Sequence, residues 1–134
     1  MPELLDWAEA YVRHRDLFEK RILSIEKKEN LLIIKNKDNS TTTCLVADSL
    51  DEIILAAAEK EKKALLVTRN LKANLDFLVK HWLRFAKLPG LKLVFANVKQ
   101  NEKWVLLPHS HHAVADPDSL ALGLQAMFEA VPEG

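Results

Sequence analysis

A single cysteine, Cys44, stands among the 134 residues, so no internal disulfide can form. That excludes the disulfide-stapled secreted scaffolds and suits a reducing cytoplasm. Glycine is scarce, with only Gly90, Gly123 and Gly134, too few for a P-loop or a GxGxxG turn. Five prolines and so little glycine exclude a low-complexity chain. No apolar run approaches the ~20 residues that span a bilayer. Met1-Pro2-Glu3 lacks the basic, apolar, small-residue order of a signal peptide. The expectation is therefore a cytoplasmic chain without membrane association. Charge of one sign is also missing, since 19 basic residues balance 19 acidic ones.

What is present is apolar material: 49% of the residues are hydrophobic, too many for a disordered chain. The length fits one domain over 1–134, and a chain of this size buries about two-thirds of its unfolded surface without metal or disulfide.

Leu4, Trp7, Ala8, Tyr11, Val12 and Phe18 recur near helical spacing and predict a helix over 2–20. Leu23 and Ile25 alternate with polar residues as in a half-buried strand, and Leu31 to Ile34 form a continuous run suited to a central strand. Residues 36–40 read as a turn, and 41–47 as a third strand with β-branched threonines. Ser49 and Glu52 have capping-box spacing ahead of a helix over 50–61. Residues 63–68 hold a short buried strand. Asn70 is placed to cap a long helix over 71–87 that ends before Pro89-Gly90, with Leu71, Leu75, Leu78, Val79, Trp82, Leu83 and Ala86 inward. Phe85 falls beside that face and is marked as a surface contact. Strands follow over 91–98 and 103–107, then a helix over 117–131 opened by Asp116-Pro117. The fold class is α/β: a mixed sheet of about five or six strands, starting with an antiparallel meander and flanked by helices, with the third and fourth strands parallel.

Two features carry functional expectations. His109, His111, His112 and Asp116, with Asp118 nearby, cluster between a strand end and a helix start. If 109–111 is extended, His109 and His111 share a side. Together with Asp116 they would then offer a divalent metal an N/O set, or a base near neutral pH. The competing reading is a capped, solvated turn. No other cofactor is expected. The second feature is charge placement. Between Lys60 and Lys103, eleven Lys or Arg face three acids, whereas from His109 to Gly134 there are four acids and no Lys or Arg. Lys72, Lys80, Arg84 and Lys87 share one side of the long helix and could meet phosphates of a nucleic acid, or an acidic patch on a second subunit.

Cys44 sits among apolar neighbours and reads as structural, and Ser110 lacks a positioned base. Trp7, Trp82 and Trp104 fit apolar faces. The order helix, three-strand meander, helix, strand, helix over 2–87 resembles the core of restriction-endonuclease-like nucleases. Their chemistry implies an acid on the second strand and an acid-x-lysine triplet on the third. Here those strands read Asn30-Leu31-Leu32-Ile33-Ile34-Lys35 and Thr43-Cys44-Leu45-Val46, so a core of that kind would lack nuclease activity. With no complete catalytic set, the expectation is a non-enzymatic interaction domain that forms a homo-oligomer. A nucleic-acid-binding domain and a metal-dependent hydrolase are the alternatives.

Overall fold

In the computed structural model, which describes residues 2–134, α1 (Pro2–Glu19) leads into β1 (Ile22–Lys27), β2 (Leu31–Asn36) and β3 (Thr41–Ala47). Then come α2 (Glu52–Glu59), β4 (Ala64–Arg69), α3 (Lys72–Lys80), α4 (Trp82–Ala86), β5 (Leu91–Asn97) and β6 (Glu102–Leu106). The chain closes with α5 (Pro108–Val114), a 3-10 turn (Pro117–Ser119) and α6 (Leu120–Glu129). The strands lie in sequence order in one six-stranded sheet. β1–β2–β3 is the antiparallel meander, β3–β4–β5 is parallel, and β6 returns antiparallel to β5. This is the mixed α/β sheet expected, with the third and fourth strands parallel. Among the described residues no helix is long and apolar enough to cross a membrane.

Two apolar layers sandwich the sheet. Leu4, Leu5, Ala8 and Val12 of α1 meet Leu32, Cys44, Val67 and Val94 on one face. Leu55, Leu75, Leu78, Phe85 and Leu124 from the other helices meet Leu45, Leu66, Leu93 and Phe95 on the opposite face. Covered on both sides, β4 and β5 are apolar at consecutive positions, as central parallel strands require. Asparagine takes two of the left-handed turn positions, Asn39 at φ 71° before β3 and Asn101 at φ 53° before β6, while Lys20 takes a third at φ 51° before β1. Gly90 is needed where the strand-entry loop crosses, because a Cβ there would lie 2.1 Å from the Lys62 carbonyl oxygen.

Several local expectations are corrected. The helix over 71–87 breaks at His81 (φ −107°, ψ 23°) into α3 and α4. The break rotates α4, so that Trp82, Phe85 and Ala86 turn inward and Leu83 is left 64% exposed. Phe85, expected at the surface, has 0% exposure and packs edge-on to Phe77. The cap of α2 is Asp51, whose carboxylate accepts from the Ile54 amide, rather than Ser49. Asn74 explains the difference: its Oδ1 accepts from the Leu50 amide and its Nδ2 donates to the Asp48 carbonyl, holding residues 48–50 as a loop. Residues 109–111 are not extended but lie within α5, and the closing helix is reduced to α6 behind the 3-10 turn.

Candidate functional site

The expected metal set is dispersed by α5. His109 Nδ1 lies 2.8 Å from the Ala86 carbonyl oxygen, and His112 Nδ1 accepts a 2.9 Å bond from Trp82 Nε1. His111 meets the Trp82 ring edge-on at 5.9 Å. Asp116 caps the 3-10 turn by accepting from the Asp118 amide at 3.0 Å. These imidazoles dock α5 onto α4. Among the described residues, no group of three or more His, Cys, Asp or Glu side chains is arranged to hold a metal ion. Cys44 is fully buried on β3, and burial pushes its thiol pKa up to about 12, far from the thiolate that nucleophilic chemistry needs.

The basic stripe is present but partly neutralised within the chain. The Arg84 guanidinium bonds both Glu52 and Glu59, with N···O distances of 2.6 and 2.7 Å. Lys72 pairs with Asp76 at 3.0 Å and donates to Gln125. Lys80 and Lys87 stay exposed. A duplex or strand approaching this face therefore meets two open cations rather than four.

The carboxyl ends of the parallel strands, where α/β sheets commonly place ligands, are closed by the chain's own C-terminus. Asn70, just after β4, donates to the Phe128 and Val131 carbonyls and accepts from Trp104 Nε1 at 2.7 Å. Its carbonyl accepts from the Gly134 amide, while Asn97 Nδ2 reaches the Pro132 carbonyl. The Glu133 carboxylate caps α3 by accepting from the Lys72 amide at 2.8 Å. Beside them Arg69 bonds Asp48 at 2.6 Å. Burial raises the Asp48 pKa and the Arg69 guanidinium lowers it, and on balance the carboxyl sits below its ordinary range.

The amino ends of the same strands are open. A cleft of about 350 Å³ runs between the C-terminal half of α1 and the starts of β4 and β5. Val12, Ile34, Leu65 and Leu91 give it an apolar floor, and Arg15, Arg21, Lys63 and Lys92 give it a cationic rim. Two carboxylates share the lining, and both are engaged: Asp16 Oδ1 accepts from the amides of Arg21 and Ile22 at 2.7 and 3.0 Å, and Glu19 pairs with Arg15 at 3.1 Å. Sequence reading missed this site because its cations come from α1, β5 and two separate loops, with no shared spacing. The hint that was there is Lys92, a charge inside the otherwise apolar run 91–96.

A second surface stands out near the open edge of β6. There Leu106, Leu107, His111, Val114 and Met127 line a shallow apolar groove. The outer side of α6 carries exposed Ala121, Leu122, Gly123, Ala126 and Ala130, with Glu129 the one charge on this helix. Compared with protein-family models, with curated proteins and with solved structures, the chain matches none.

Proposed function

We propose that the chain is a non-enzymatic interaction domain that self-associates through its α5–α6 side. The observation that carries this reading is α6 itself. Its inner side buries Leu124 and Phe128, yet its outer side is also apolar or small, with Leu122 exposed by 74%. A surface helix ordinarily turns charged residues to water, and one that is apolar all round belongs in an interior. Val114, 84% exposed, and Leu107 extend the patch toward β6. Gly123 leaves open space above the backbone, so a second helix can approach closely.

A second copy is the occupant favoured, because an isologous contact needs only this one patch on each partner. It would cover about 800 Å² per partner, roughly a tenth of the 7748 Å² surface. The basic stripe supplies less than expected to such a contact, since Arg84 and Lys72 already have acidic partners. Burial of apolar surface is then the driving term, not pairing of basic and acidic patches. Sedimentation velocity at micromolar concentration is expected to show a dimer that Leu122→Glu and Val114→Glu each convert to monomer with unchanged circular dichroism. A wild-type monomer at those concentrations, or a dimer indifferent to both substitutions, would overturn the reading.

A further inference from the structure

We propose that the cleft at the amino ends of β4 and β5 binds a small organic anion, its carboxylate or phosphate head held by Lys92 with Arg21 and Lys63, and its apolar body lying on Val12, Ile34 and Leu65. The shape fits: pockets for small molecules are concave, mostly apolar, and carry a few polar groups that fix orientation. The charge fits as well. Four cations line the cleft against two carboxylates, and Asp16 and Glu19 are both occupied by neighbours. An adjoining depression shares Arg21 and Lys63 and adds Lys20 and Lys37, with Asp38 bonded to Ser40. The field over the opening is positive.

Lys92 makes the strongest argument. Its ammonium is half-buried and, among the described residues, has neither a hydrogen bond nor an ion pair; it lies over the Tyr11 ring, 5.6 Å from the centroid. Burial, with repulsion from Arg15 on α1 and Lys103 on β6, lowers its pKa to about 8, and Glu19 opposes that only in part. A desolvated charge without a counter-charge is costly, and proteins ordinarily pair such groups. An anion in the cleft supplies the missing partner. The surface proposed for self-association meets this cleft at Leu107, yet none of the binding groups lies on α5 or α6.

The test uses phenyl phosphate, inorganic phosphate and benzyl alcohol as probes, followed by amide chemical shifts at pH 7. Phenyl phosphate is expected to give saturable shifts around Asn36, Thr42, Ala64 and Lys92, and to bind at least about tenfold more tightly than inorganic phosphate. Benzyl alcohol is expected to give none. Lys92→Met, which keeps the side chain's bulk, should weaken phenyl phosphate at least about tenfold. Arg21→Gln should weaken it less, because Arg21 is more exposed. Leu122→Glu should leave binding unchanged, which separates this inference from self-association. Above pH 8 affinity should fall by about tenfold per unit, as Lys92 must take up a proton to hold the anion. The proposal is overturned if phenyl phosphate produces no saturable shift, if Lys92→Met binds it as well as wild type, or if inorganic phosphate binds equally tightly.

Discussion

The two ends of the parallel strands have been finished in different ways. At the carboxyl ends, Asn70, Asn74 and Asn97 are buried and every polar atom in the group is matched: Asn70 to the C-terminal carbonyls and Trp104, Asn74 to Leu50, Asp48 and Arg69. Among the described residues, no buried side-chain polar atom lacks a hydrogen-bond partner. At the amino ends a half-buried ammonium faces an open cleft without an ion pair, its nearest acid, Glu19, being bonded to Arg15. The carboxyl end is therefore a structural closure. The amino end tolerates a local electrostatic cost that a purely structural solution, such as methionine at residue 92, would avoid. The place where α/β sheets commonly hold ligands is filled here by residues 128–132.

The contrast can be broken most forcefully at Asn70. Asn70→Ala removes the bonds to the Phe128 and Val131 carbonyls and strands the buried Trp104 indole N–H. Buried groups left unsatisfied cost about 1–3 kcal/mol each, so a loss of about 4 kcal/mol is expected from urea unfolding. A loss under about 1 kcal/mol would mean that the C-terminal segment does not seal that end. A smaller effect is expected for His112→Ala, which deprives the Trp82 indole of its acceptor and should cost about 1–2 kcal/mol. If His112 and His109 serve docking, zinc or EDTA should leave the wild-type thermal midpoint unmoved, whereas a rise of several degrees with zinc would restore the metal reading. The smallest change, and one of opposite sign, is expected at the amino end. Lys92→Met should raise stability by about 1 kcal/mol at pH 7, after allowance for the solvent that still reaches the ammonium.

Much of this architecture was legible in the sequence because periodicity and turn chemistry are local. The run Leu31 to Ile34 and the helically spaced Leu4, Ala8 and Val12 of α1 announced their layers, and turn residues marked 36–40. The failures share a different cause. Asn70 looks like a cap for the next helix, but its partners lie roughly sixty residues downstream, and Glu133 does the capping instead. The break falls at His81, which packs on the Phe77 ring and lies 3.9 Å from Glu52 of α2, and no proline or glycine announces it. Helical α5 took the histidines out of the strand geometry that made them resemble a ligand set. Of the open cleft, only Lys92 could have been noticed, as one charge in an apolar strand.

The most direct measurement compares unfolding free energy with pH from 7 to 10.5 in wild type and Lys92→Met. Below pH 8 Lys92 is charged in both folded and unfolded chains and the whole burial cost is present. Between its folded pKa of about 8 and the ordinary lysine value of 10.5, the unfolded chain holds a proton that the folded chain has released. Stability must then fall as pH drops through that window and rise as pH climbs. The account predicts that the advantage of Lys92→Met, present at pH 7, shrinks steadily toward pH 10.5, with shared titrations cancelling in the difference. Parallel curves, or a variant less stable than wild type at pH 7, would show that Lys92 is a satisfied structural residue and that the amino end is as closed as the other.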